Sequence, residues 1–214
     1  MALKGAVIPV TPFQQNCSLW WDDQTGEGVV IDPGGEVERI LAAIEQVKLN
    51  VTSILLTHGH MDHAGGAAAL QEALPGTPPI IGPDPRDGFL LEGLAEQGAK
   101  YGMDARAVTP ARWLAEGDTV EIGGQRFEVL HCPGHTPGHL VFVNPAMQLA
   151  IVGDVLFRGS VGRTDFPYGD HDALITAITE KLLPLGDGMQ FLCGHGPGSS
   201  FGEERRSNPF LRRA

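Results

Sequence analysis

Three histidines and an aspartate fall within His58-Gly59-His60-Met61-Asp62-His63, and this crowding constrains the fold more than any other feature of the chain. Imidazoles and a carboxylate this close repel like charges when ionised, and they are costly to bury neutral and unpaired. A metal ion removes both costs because it binds the groups deprotonated. Before the cluster, Thr52-Ser53-Ile54-Leu55-Leu56-Thr57 reads as a buried strand. After it, the small-residue segment from Ala64 to Leu74 reads as a helix. The cluster therefore lies on a strand-to-helix turn, at the carboxyl end of a strand. Open α/β sheets place their ligand sites there.

The remaining sequence supports one sizeable core. The chain has 214 residues, of which 42% are hydrophobic and 19% charged, as in ordinary globular proteins. We expect residues 1–214 to form a single domain, since no linker or low-complexity segment divides them. The net charge of −11 repels nucleic-acid phosphates and anionic membranes, so no nucleic-acid or membrane partner is expected. There is no apolar run of about 18 residues that could span a bilayer, and the amino terminus lacks a signal-peptide pattern. Cys17, Cys132 and Cys193 are odd in number and far apart. They form no disulfide framework, which fits a reducing cytoplasm. Cys132 and Cys193 read as buried small residues at strand ends.

Strand patterns occur at Leu3–Val10, Cys17–Trp21, Gly28–Asp32, Ser53–Thr57 and Pro78–Gly82. In the second half they recur at Thr119–Ile122, Arg126–His131, Leu140–Asn144, Leu149–Gly153 and Met189–Cys193. Helical spacing marks Glu36–Lys48, a short piece around Phe89–Gln97, and Asp170–Leu183, with Asp170 as its cap. Strands come in runs, each closed by a helix. The expected fold is α/β, a four-layer αββα sandwich of two mixed sheets with helices outside both.

Three further segments carry donors just past strand ends, each beside a glycine: Pro133-Gly134-His135, Gly153-Asp154 and Cys193-Gly194-His195. Small neighbours let side chains and a metal approach the backbone closely. Imidazole and carboxylate donors without thiolate suit Zn²⁺, Fe²⁺ or Mn²⁺ and do not single one out.

The ordered string His58, His60, Asp62, His63, His135, Asp154 and His195 resembles that of the metallo-β-lactamase superfamily. The words Pro133-Gly134-His135-Thr136-Pro137-Gly138-His139, Gly153-Asp154-Val155-Leu156-Phe157, His195-Gly196-Pro197-Gly198 and Asn208-Pro209-Phe210 are similar to those of its glyoxalase II group. The resemblance implies two divalent metal ions, zinc first, with iron or manganese as alternatives. His58, His60 and His135 would hold one and Asp62, His63 and His195 the other. Asp154 would bridge them, and Asp62 would also orient the attacking hydroxide.

The implied reaction is hydrolysis of a thioester of the S-lactoylglutathione type, giving a hydroxy acid and a free thiol. Arg163 would contact the thiol-bearing half of the substrate, or else pair with Asp165 to stiffen the loop Gly159–Pro167 over the metals. His139 reads either as a residue that orients another ligand or as a polar residue at a helix or strand end. His171 reads as a helix N-terminal residue, and Arg205 and Arg206 as solvated. The chain reads as the short form, without the helical C-terminal domain that supplies glutathione contacts in longer relatives. A second reading keeps the same string but binds one Fe²⁺ through His58, His135 and Asp154, as a persulfide dioxygenase with a similar Gly162-Arg163-Thr164-Asp165-Phe166 loop.

Overall fold

The computed structural model describes residues 2–212; Met1, Arg213 and Ala214, the ends of the expected 1–214 unit, lie outside them. Strands β1 (Leu3–Val10), β2 (Gln15–Asp22), β3 (Glu27–Ile31), β4 (Asn50–Leu55) and β5 (Ile80–Ile81) form one sheet in sequence order. The first three pair antiparallel, and β3, β4 and β5 are parallel. The second sheet contains β6 (Thr119–Ile122), β7 (Gln125–His131), β8 (Leu140–Asn144) and β9 (Leu149–Gly153). A small separate hairpin follows, β10 (Leu156–Phe157) with β11 (Ser160–Val161). Strands β12 (Gln190–Cys193) and β13 (Ser199–Ser200) then complete the second sheet, with β12 parallel to β9.

The strand period of two explains the layers. In β3, Val30 faces outward while Val29 and Ile31 face the other sheet; in β9, Ile151 faces inward while Ala150 and Val152 face outward. Strands buried on both faces read as nearly continuous apolar runs. Three apolar clusters result. One lies between the sheets, with Phe127 and Phe142. One packs the first sheet against α1 (Val37–Val47), α3 (Ala67–Ala73) and α5 (Leu94–Tyr101); α2 (Met61–Ala64) and α4 (Gly88–Glu92) complete this side. The third packs the second sheet under α6 (His171–Ala177) and α7 (Phe201–Ser207). The observed fold is the four-layer αββα sandwich.

The helices depart from expectation where the backbone has another task. The expected helix from Ala64 to Leu74 is two, interrupted at Gly65-Gly66, where the chain docks on the turn after β3 and the Gly66 N–H donates to Pro33 O at 2.9 Å. The helix around Phe89–Gln97 is likewise split at Gly93. The helix from Asp170 is capped as expected, Asp170 accepting from the Ala173 N–H at 2.9 Å. It is α-helical only to Ala177, continues as a π-helical segment Ile178–Leu182, and ends where Pro184 enters a 3₁₀ turn. Helix α7 was not expected. Its sequence is mostly polar, and it is held by its Ser200 cap and the buried Phe201. No described helix is long and apolar enough to cross a membrane. All three cysteines are buried and free.

Candidate metal centre

The donors converge at one end of the sandwich. Strand β9 is parallel to β12 and, through antiparallel β8, also parallel to β7. The carboxyl ends of all three therefore lie together and deliver His135, Asp154 and His195. Strand β4 of the other sheet delivers His58, and the Leu140 N–H donates to Thr57 O at 2.8 Å, tying the two sheets at this end. Gly194 is needed here, since a Cβ at that position would overlap Asp154 Oδ1. Gly153 takes a left-handed φ of +50°, and a side chain there would meet both His139 and Thr57.

All seven predicted donors meet. The ligating atoms of His58, His60 and His135 lie within 4.8 Å of one another, and so do those of Asp62, His63 and His195. Asp154 stands between the sets: Oδ1 is 3.3 Å from His63 Nε2, and Oδ2 is 3.5 Å from both His135 Nε2 and His195 Nε2.

Each of the five imidazoles has one nitrogen engaged from outside, which leaves the other aimed inward. His63 Nδ1–H donates to Asp32 Oδ2 at 2.9 Å. His135 Nδ1–H donates to Arg163 O at 2.8 Å, and His195 Nδ1–H to Phe13 O at 3.0 Å. The Thr57 hydroxyl donates to Asp32 Oδ2 at 2.6 Å and so can accept from His58 Nδ1–H at 3.0 Å. His60 is reversed: Nε2 meets the Tyr168 hydroxyl at 2.8 Å, and Nδ1 faces His58 Nε2 at 3.2 Å. These tautomers follow from the partners. Outer hydrogen bonds of this kind fix metal-binding rings.

The inward atoms are left wanting. His63 Nε2, His135 Nε2 and Asp154 Oδ1 are fully buried without a hydrogen-bond partner, although the carboxylate and the His63 ring are close. Buried polar atoms ordinarily find partners, and a metal would partner all three. Electrostatics divides the two sets. Burial first, then mutual repulsion, holds His58 well below its ordinary range and His60 down at about 3. Burial also lowers His135. Burial pulls His63 and His195 down too, but Asp154 and Asp62 outweigh it, raising His63 well above its usual value and His195 to about 9.

Sequence reasoning missed four supporting residues. Asp32 holds His63 directly and His58 through Thr57. Its signal was present, a carboxylate at a strand end before Pro33-Gly34-Gly35, like the one that marked Asp154. Gln15 Nε2 approaches His63 Nδ1 at 3.4 Å. Tyr168 backs His60. Asp87, fully buried, accepts from the Gly59 N–H at 2.9 Å, the Gly138 N–H at 2.6 Å and the Thr136 hydroxyl at 2.7 Å. It thus clamps the two loops that carry His58–His63 and His135. Asp87→Ala would orphan three donors and is expected to cost about 3 kcal/mol or more in urea unfolding; a loss below about 1 kcal/mol would contradict this clamp.

The other predicted residues are also accounted for. His139 is buried, accepts from the Asp154 N–H at 3.0 Å and stacks on His58 at 4.5 Å. Arg163 lines the cleft above the donors, but its guanidinium pairs with Asp165 at 3.0 Å. The segment Gly159–Pro167 contributes β11 before it loops beside the donors. His171 begins α6. Arg205 and Arg206 lie on α7, where they pair with Asp187 and Glu203. His131, unassigned from sequence, faces Pro137 O at 2.7 Å.

The model of the metallo-beta-lactamase superfamily matches residues 10–195. The chain belongs to this superfamily. As a superfamily member it is 49% identical over 207 residues to "Hydroxyacylglutathione hydrolase GloC" of Haemophilus influenzae, covering 96% of each chain. Among solved structures, this metallo-beta-lactamase superfamily chain is similar to the BLEG-1 B3 metallo-beta-lactamase, with TM-score 0.88 and 32% identity over 98% of this chain and 100% of that one. It is also similar to TTHA1623 in a di-iron-bound form, with TM-score 0.85 and 40% identity over 96% of this chain and 100% of that one.

Proposed function

We propose that this protein is a binuclear metal-dependent hydrolase that cleaves a thioester of the S-lactoylglutathione type. The observation that carries the proposal is Asp154 standing between two complete donor sets at the floor of a cleft of about 760 Å³. Similarity to the Haemophilus hydroxyacylglutathione hydrolase suggests the substrate class, and the di-iron form of TTHA1623 supports a two-metal site.

His58, His60 and His135 would hold one ion, Asp62, His63 and His195 the other, and Asp154 both. Bound metals would supply Lewis acidity that makes water a nucleophile near neutral pH. The chain's own residues then set the geometry. Asp62 Oδ2 lies 3.2 Å from His195 Nε2 and 3.9 Å from His63 Nε2, at the edge of the cleft, where its carboxylate can orient a water toward a substrate carbonyl. Tyr168 lines the same cleft, and burial pushes its hydroxyl up to about 12, so it stays protonated at neutral pH. If it accepts from His60 Nε2–H, its own O–H is free to donate to the substrate. The leaving thiolate needs no dedicated acid, because a thiol is a far stronger acid than an alcohol.

His63 and His195 both turn toward Asp154, which supports two ions over the single-iron dioxygenase reading. The test is turnover of S-lactoylglutathione by protein of known metal content. Hydrolysis with about two ions per chain is expected. Oxygen uptake on glutathione persulfide, with one iron per chain and no hydrolysis, would replace this reading with the dioxygenase.

A further inference from the structure

A hydroxyacyl group fills only a small part of the cleft, so the space beyond it must accommodate the thiol carrier. Aromatic rings line this space, among them Phe13, Tyr101, Phe157 and Phe166. Three cations also border it, and they are not equivalent. Arg163 sits at the His135 end, where Nε and Nη2 donate to the two Asp165 oxygens at 3.0 and 3.1 Å and the guanidinium lies 4.8 Å over Phe166. Lys100, on α5, pairs with Glu96 at 3.0 Å. Arg158 lies at the opposite end. It follows Phe157, whose ring is 6.3 Å from that of His195, and its Nη2 donates to Gly198 O at 2.6 Å. Among the described residues no carboxylate pairs with it.

That difference matters for recognition. A guanidinium already held by a carboxylate in two-point fashion has little left for a second anion. Arg158 instead is oriented by a neutral carbonyl and keeps both its full charge and most of its donor fork, which suits a carboxylate. It does so in a chain of net charge −11, where an unpaired cation on a cleft rim is a local attractor for anions.

We propose that Arg158 anchors a carboxylate on the thiol-bearing half of the substrate, at the His195 end of the cleft. The proposal rests on the thioester reading for its substrate class. It moves the main anionic contact away from Arg163, whose charge Asp165 already answers.

The probe is S-methylglutathione, which carries the carboxylates but no thioester, titrated calorimetrically into the metal-loaded protein. Arg158→Ala should weaken its binding roughly 10-fold, and Arg158→Lys should recover part of that. In turnover, Arg158→Ala should raise KM for S-lactoylglutathione by a similar factor with a much smaller change in kcat. The lactoyl thioester of N-acetylcysteamine, which has no carboxylate, should lose little. Absent binding to the wild type, unchanged binding in Arg158→Ala, or equal losses on both thioesters would overturn the anchor. The last outcome would mean that Arg158 acts only by holding Gly198. A protein that binds S-methylglutathione through Arg158 yet hydrolyses neither thioester keeps the anchor and discards the thioester reading instead.

Discussion

Asp154→Ala is expected to abolish hydrolysis and to lower the metal content below two ions per chain, while His139→Ala retains metal and loses activity by about 10–100-fold. The two side chains are neighbours with different work. Asp154 lies within 3.5 Å of His63, His135 and His195, so it touches both donor sets. Burial would raise its carboxyl, but His63 and the other imidazoles outweigh this and hold it well below the usual carboxylate range. It is therefore ionised and available as a shared ligand. Removing it leaves His63 and His195 without the anion they face, and would leave both proposed ions short of a donor. His139 touches neither set's inward atoms. Its Nε2 accepts from the Asp154 N–H and its ring backs His58, so its loss loosens the site without emptying it. Parallel kinetics, metal analysis and thermal unfolding on the two variants decide the matter. Equal losses with metal retained in both would refute this division of roles.

On the proposed two-metal site, acidification from pH 9 to pH 6 is expected to release the metal that Asp62, His63 and His195 would hold well before the one that His58, His60 and His135 would hold. The sign follows from which state binds the proton. In metal-free protein His195 titrates at about 9 and His63 is raised well above its ordinary value, so both carry protons at neutral pH. A metal entering that set must displace them, and its apparent affinity falls as pH falls, about tenfold per pH unit for each proton displaced. In the other set burial lowers all three imidazoles, His60 to about 3, His58 well below its ordinary range and His135 also downward, so fewer protons have to leave between pH 6 and 9. Metal-buffered titrations at both ends of the range should show about two ions per chain at pH 9 and one at pH 6. Parallel loss from both sets, with one common slope, would rule this out.

The sequence by itself determined the four layers and picked out the seven side chains that converge at one end of the sandwich. Alternation in β3, β4, β8 and β9 placed their apolar residues on two faces, and the seven side chains lie on segments that directly follow strand ends, so local spacing was enough. Regular patterns failed where the backbone serves a distant contact. Gly65-Gly66 breaks a helix because it docks beside Pro33, and the polar α7 carries no helical stripe beyond Phe201. The tertiary structure alone decided how the donors are aimed. Asp32 reaches His63 across 31 residues, Asp87 reaches Gly138 across 51, and Tyr168 reaches His60 across 108. It also decided which rim arginine is paired, since Arg163 could be read as free or as bound to Asp165 until both were placed. Short-range periodicity records which face a residue is on. The partner of a buried polar atom is set by where separate segments meet, and that information exists only once the two sheets have packed.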